Sequence, residues 1–84
     1  MSLPETVRLR RGVPTRVQAD GREYSLGINA VHDGGRSARI GVFVAGVGET
    51  TEVQLGSSVH VGAHAYAVSE IDDRHVVLAL ESVP

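Results

Sequence analysis

The sequence predicts an all-β fold, either a small antiparallel β-sandwich or a partly open barrel of six to eight strands. Apolar residues alternate with polar ones at a period of two along most of the chain, and no stretch shows the 3.6-residue period of an amphipathic helix. Turn-forming residues recur about every ten residues, the spacing typical of a sandwich or small barrel. The 84 residues allow one domain, 1–84, with a core of modest size.

The strand and turn signals follow one another in order along the chain. Val7 and Leu9 alternate with polar neighbours, and residues 24–30 and 40–44 show the same pattern. Turns are predicted at residues 20–21, 33–35, 46–49, 62–63 and 72–73, where Gly and Asp predominate. These residues favour turns because they tolerate positive φ or hydrogen-bond their own backbone.

Residues 56–83 predict a three-stranded meander with two distinct faces. Its first turn puts Tyr66 on the core face, together with valines of both strands. A three-residue turn at 72–74 would set Ile71 opposite His75. The apolar residues on one face of this meander indicate where the core lies.

The other face of the meander carries small and apolar residues where a solvent-exposed face would carry charges. Such a surface lets another sheet, or another copy of the chain, approach closely. We therefore predict a homodimer interface made by the residues of this face: His60, Ala65, Ala67, Ile71, His75, Val77 and Ala79.

The chain also contains an internal repeat of its residue pattern, which we call the internal echo. Gly12, Val17, Tyr24, Leu26 and Ile28 are matched in order by Gly56, Val61, Tyr66, Val68 and Ile71. Two such meanders facing each other would form a six-stranded core with pseudo-twofold symmetry. The first strand and residues 52–55 would then be additions that close the sheet edges.

Composition and charge exclude several classes of protein. The chain has no cysteine, so neither a disulfide framework nor a thiolate metal site is expected. Its net charge is -2, and no apolar run approaches the length of a membrane span or a signal sequence. We expect a cytoplasmic protein that binds no membrane.

Arginines in the first part of the chain have two interpretations. Arg8, Arg10 and Arg16 could line one surface and bind phosphate groups. Acidic neighbours and the lack of a stacking aromatic side chain argue against nucleic acid, which is not predicted as a partner. The arginines are instead typical of an edge strand protected from aggregation.

Histidine spacing does not predict a metal site within one chain. His60 and His64 are four residues apart, but across a hairpin turn this spacing puts their side chains on opposite faces. His60 and His75 share a face on strands about 9–10 Å apart, which is wide for two ligands of one ion. A metal shared between subunits, with His32 or Glu70 contributing, stays open as an alternative. No metal or other cofactor is predicted.

No nucleophile lies in a recognisable catalytic motif, and the glycine-rich residues 46–50 lack the lysine of a phosphate-binding loop. The sequence therefore favours a non-catalytic interaction or accessory module with an unknown partner. The alternative is a small-ligand-binding barrel, either a carrier or a minimal cyclase-type enzyme. Its pocket between the two meanders would use Tyr24, Tyr66, His64 and Glu70 as polar groups.

The runs ETVRLRRGVPTRV, GREYSLGI and LGSSVHVGAHAYAVSEI carry a resemblance that spans most of the chain. In these turn and core residues the chain resembles small single-domain proteins of an uncharacterised actinobacterial family. The resemblance implies an all-β cytoplasmic domain and carries over no catalytic or binding residues.

Overall fold

A computed structural model describes residues 3–81, and within this range the chain forms eight strands and no helix, so that no helix there could cross a membrane. The strands are β1 (Thr6–Arg10), β2 (Thr15–Ala19), β3 (Arg22–His32), β4 (Ser37–Val44), β5 (Val47–Gln54), β6 (Ser58–Val61), β7 (His64–Ile71) and β8 (His75–Leu80). They form two antiparallel sheets, sheet A in the order β1-β8-β7-β6 and sheet B in the order β2-β3-β4-β5. The predicted all-β sandwich is confirmed.

The two sheets bury one continuous apolar core between them. Leu26 and Ile40 of sheet B, and Leu9, Tyr66 and Leu78 of sheet A, are fully enclosed. Period-two alternation along each strand sends these side chains inward and their polar neighbours outward. Each buried side chain of this size contributes about 1.5–3 kcal/mol relative to an exposed one, so the core is the main source of stability.

Two hairpin turns lie where the sequence predicts them. Asp20 and Gly21 have φ angles of 53° and 74°, as a two-residue type I′ turn requires, and join β2 to β3. Gly62 has a φ of 64° at the first position of the β6–β7 turn, which is the glycine position of a type II′ turn.

Strand β5 differs from the prediction. The sequence predicts a turn over residues 46–49 and an added segment at 52–55, whereas β5 spans Val47–Gln54 and pairs with β4 along its whole length. The chain turns earlier, at Ala45 and Gly46, where Ala45 adopts a φ of 53° that its residue type does not favour. Because β5 lies at the edge of sheet B and is mostly exposed, its sequence carries Thr and Glu in place of an apolar alternation.

A β-bulge in β7 makes the predicted position of Ile71 wrong. The pairing of β7 with β8 shifts by one residue just before Glu70, so that Ile71 lies opposite Val76 and not opposite His75. A slip of one residue exchanges the two faces of a strand. Ile71 therefore packs against the core, and Glu70 takes the outer position opposite Val77.

The two sheets repeat one arrangement, in which a two-residue hairpin joins an edge strand to a bulged strand, followed by two further strands. The fourth strand of sheet A is β1, which comes from the other end of the chain. Tyr24 and Tyr66 hold equivalent positions, opposite Val17 and Val59. The internal echo thus extends over all four strands of each sheet. The predicted match of Val17 with Val61 is wrong, because Val59 is the residue equivalent to Val17.

Candidate functional site

The outer face of sheet A has an apolar centre, which we call the alanine face: Ala65, Ala67, Val77 and Ala79. Ala67 and Ala79 lie opposite each other on neighbouring strands. Val77 points outward between the buried Val76 and Leu78, yet it is only 8% exposed. At the centre of this face Val77 is therefore covered by its neighbours, while the three alanines stay partly exposed.

Strand formation does not explain these alanines. Alanine is depleted in β-strands, where threonine would suit a solvent-exposed position better. Charged side chains instead stand beside the apolar centre: Arg8 of β1 and Glu70 of β7 lie opposite Val77 on its two sides. An apolar centre with a polar rim is the usual anatomy of a protein interface.

A hydrogen bond between two side chains of the rim reaches across β7. Ser58 Oγ of β6 donates a hydrogen bond of 2.8 Å to Glu81 Oε1, which follows β8. Ser58 and His60 lie opposite Ala67 and Ala65 on the far edge strand. The rim thus carries the basic Arg8 on β1, the acidic Glu70 on β7, and the polar Ser58 and His60 on β6.

Six of the seven residues predicted as an interface share this outer face of sheet A: His60, Ala65, Ala67, His75, Val77 and Ala79. Ile71 does not, because the bulge turns it toward the core. The role of the face as an interface stays a prediction, and its geometry is that of one continuous surface.

The four residues predicted to line a ligand pocket do not lie together. Tyr66 is fully buried, and its hydroxyl donates a hydrogen bond of 2.8 Å to the carbonyl of Pro4. Burial raises the pKa of this Tyr66 hydroxyl, which keeps it protonated as a donor. Glu70 projects from the opposite face of the same strand. Tyr24 and His64 both lie at the end of the sandwich near Asp20: His64 Nε2 is 2.9 Å from Asp20 Oδ1, and a Cβ atom at Gly62 would lie 3.1 Å from the Tyr24 hydroxyl.

Asp20 links the two sheets. Its Oδ2 accepts a hydrogen bond of 3.1 Å from the backbone N–H of Ala63, and its Oδ1 lies 2.9 Å from His64 Nε2. The turn of sheet B thereby holds the β6–β7 turn of sheet A. The Ala63 N–H, followed by the His64 side chain, holds the pKa of Asp20 below its usual value.

Sequence reasoning assigned Asp20 to a turn and missed this link. Its partners lie more than forty residues away along the chain, so no local pattern signals the contact. Gly62 gave no separate signal, because its φ of 64° already favours glycine in the turn. The structure adds that a Cβ atom at this position would lie 2.5 Å from Asp20 Oδ2, the end of a side chain that can shift.

Replacing Asp20 with Asn is expected to remove part of the acid sensitivity of folding. Because the folded-state pKa of Asp20 is lowered from 3.8, its contribution is present above the unfolded pKa and is lost as pH falls through the folded value. The stability gap between wild type and Asp20→Asn should therefore be widest above about pH 5 and close toward about pH 2. Thermal unfolding followed by circular dichroism across this range measures it.

Asp33→Asn is the matched control, because Asp33 also sits in a hairpin turn with a φ of 52°. Among residues 3–81, its carboxylate makes no link to the other sheet. Equal pH profiles for the two variants would contradict the role given to Asp20.

The histidines occupy four separate places, and three of them face a carboxylate. His32 Nε2 lies 3.4 Å from Glu52, His64 lies beside Asp20, and His75 Nδ1 lies 3.4 Å from Asp72 Oδ1. Within residues 3–81, no group of three or more His, Asp or Glu side chains could hold a metal ion.

A cavity of about 560 Å³ lies at the end of sheet A where β1 ends and β8 begins. Its lining residues are Arg10, Arg11, Asp73, Arg74 and His75. Of the three arginines that the sequence suggested for a common surface, only Arg10 lines it. Arg16 lies on sheet B, 3.7 Å from Glu23.

Over residues 4–79 the chain matches a family of unknown function, DUF6406. No curated protein and no solved structure matches the chain. The family match confirms the resemblance to an uncharacterised family, while the actinobacterial origin stays a prediction.

Proposed function

We infer the function of this chain, which belongs to the DUF6406 family of unknown function, from its own surface, and we propose a non-catalytic interaction module that acts as a homodimer through the alanine face. The observation that carries this proposal is the set of small apolar side chains on an outer sheet face, where Ala65, Ala67 and Ala79 are only partly buried. A contiguous apolar face with charged residues beside it is typical of an interaction site.

The charges beside the face suit a second copy of the same chain. In a twofold interface, residue i of one copy meets residue j of the other, and j meets i. Arg8 and Glu70 stand on opposite sides of Val77. An axis lying in the interface and running along β8 therefore places Arg8 of each copy over Glu70 of the other. Both of these contacts then join an arginine to a glutamate, so two identical copies are complementary in charge.

The same axis brings small residues together at the centre. Ala79 lies on β8, close to the axis, and Ala67 lies beside it on β7. Two faces of small side chains can approach to the distance of stacked sheets, about 10 Å, without steric conflict. The alanines would then serve the packing of two sheets against each other.

The size of the face predicts a dimer of modest affinity. Four strands spaced by about 4.8 Å, each with about six residues rising about 3.3 Å, cover a flat area of about 400 Å². Two copies would bury about 800 Å², below the standard size of a stable interface. Self-association must therefore be measured over a concentration range that reaches about 1 mM.

Ala79→Arg is expected to abolish the dimer. Arginines at this position would meet each other near the axis, and an unpaired buried charge costs about 3–5 kcal/mol, more than a hundredfold in affinity. Sedimentation equilibrium should give the monomer mass of 8.9 kDa for Ala79→Arg and twice that mass for the wild type. Thr50→Arg, on the exposed edge strand of sheet B, is the matched control and should remain a dimer.

A charge exchange tests the orientation of the two copies. Arg8→Glu and Glu70→Arg should each weaken the dimer, because each places like charges opposite each other. The double variant restores opposite charges and should recover dimerisation. A wild type that stays monomeric at every concentration, or an Ala79→Arg variant that dimerises like Thr50→Arg, would overturn the proposal.

A further inference from the structure

We propose that the cavity at the β1–β8 end of sheet A binds the phosphate group of a small non-aromatic phosphate monoester. We call this cavity the arginine cavity; Arg10, Arg11, Asp73, Arg74 and His75 line it. The site is separate from the alanine face, although His75 borders both.

The backbone holds the arginines of the cavity together. Arg10 ends β1 and lies opposite His75 at the start of β8. The next residue, Arg11, donates a backbone hydrogen bond of 2.8 Å to the carbonyl of Arg74 in the β7–β8 turn. Two distant segments of the chain are thus joined by main-chain contacts, so their side chains start from fixed points around one cavity.

The positive charge of the cavity is not neutralised by neighbours. Within residues 3–81, no carboxylate lies within 4.0 Å of the guanidinium of Arg10, Arg11 or Arg74, whereas Arg39 has Glu52 at 3.0 Å. One acidic residue, Asp73, lines the cavity beside the three arginines. The local charge is therefore positive on a protein whose net charge is -2.

Asp72, the nearest other acidic residue in the turn, is engaged elsewhere. Its Oδ1 accepts hydrogen bonds of 2.8 and 2.7 Å from the backbone N–H groups of Arg74 and His75. The same oxygen lies 3.4 Å from His75 Nδ1. His75 also lines the cavity, where its ring can serve as a further polar contact for a ligand.

The lining determines the class of ligand. Guanidinium groups form paired hydrogen bonds with phosphate oxygens, and several of them can share one dianion. The cavity is half open to solvent, and its volume of about 560 Å³ leaves room for a small organic body beside the phosphate group. The lining contains no Phe, Tyr or Trp, which are the side chains that stack most strongly on nucleic-acid bases. These features favour a non-aromatic phosphate monoester over a nucleotide or a nucleic acid strand.

Titration of the ¹⁵N-labelled protein with glycerol 3-phosphate and with inorganic phosphate tests the proposal, at an ionic strength held constant with sodium chloride. We expect saturable shifts confined to the amides around Arg10, Arg11, Arg74 and His75, with glycerol 3-phosphate binding more tightly than inorganic phosphate. Arg74→Gln should weaken binding by about tenfold or more, because it removes one charged donor pair. The Asp72 bonds that hold the turn use the backbone of Arg74, so the variant keeps them.

Arg36→Gln is the matched control, because Arg36 lies in the β3–β4 turn and lines a different cavity with Asp33 and Glu52. Arg11→Gln gives a second test from the other segment. The proposal is overturned by linear, non-saturable shifts, by equal affinities of Arg74→Gln and Arg36→Gln, or by a single-stranded oligonucleotide that binds at this site more tightly than the monoester. None of these outcomes bears on the dimer, which the sedimentation experiment tests separately.

Discussion

Tyr66→Ala is expected to lower the free energy of unfolding by about 3–5 kcal/mol, a large share of the stability of a domain this small. Tyr66 is the largest fully buried side chain of the core. Its ring packs between the two sheets, and its hydroxyl holds the carbonyl of Pro4, just before β1. Urea unfolding followed by circular dichroism measures the loss as a lower midpoint at an unchanged slope.

Tyr66→Phe separates the ring from the hydroxyl. The variant keeps the packed ring and removes one hydrogen bond, so a loss of about 0.5–1.5 kcal/mol is expected. The ligand-binding alternative predicts a different result, namely nearly unchanged stability and the loss of a bound small molecule. Tyr24→Phe is the control, since the Tyr24 ring is only partly buried. Equal stability of wild type and Tyr66→Phe would contradict the structural role of the hydroxyl.

Leu78→Ala is expected to lower the free energy of unfolding by about 2–5 kcal/mol. Leu78 lies on the central strand pair of sheet A, opposite Val7 and Val68, and it is fully buried. Leu55→Ala offers the same chemical change at a residue that is 62% exposed, and it should alter stability by less than about 0.5 kcal/mol.

Comparing the two leucine variants by urea unfolding tests whether the core lies between the sheets as described. A loss at Leu55 as large as that at Leu78 would mean that the outer surface around Leu55 is covered in solution. A small loss at both positions would contradict the packing of the core itself.

Much of the fold was predictable from short-range patterns. Alternation of period two identified the core faces, and the Asp20-Gly21 and Gly62-Ala63 turns fixed the registers of two hairpins. Pairing between β1 and β8 could not be predicted in this way, because it joins the two ends of the chain. The bulge in β7 was also beyond reach, since Ser69 is unremarkable as a bulge residue and the slip shows only in the pairing of Ile71.

The candidate sites, too, were predictable only where they depend on short-range patterns in the sequence. The alanine face was predictable because its residues alternate along two neighbouring strands, and only Ile71 fell on the wrong side. The arginine cavity was not predictable, because it forms where the β7–β8 turn meets the end of β1. Neither segment alone distinguishes an anion site from arginines that protect an edge strand. The contact between Arg11 and Arg74 decides the placement, and it depends on the sheet order.

The most direct test of the central claim, that the alanine face is a dimer interface, is an isotope-filtered NOE experiment on a mixture of labelled and unlabelled protein at about 1 mM. We predict intermolecular contacts from the methyl groups of Ala67, Val77 and Ala79. The absence of intermolecular contacts, or contacts confined to residues of the exposed edge strand β5, would contradict the account.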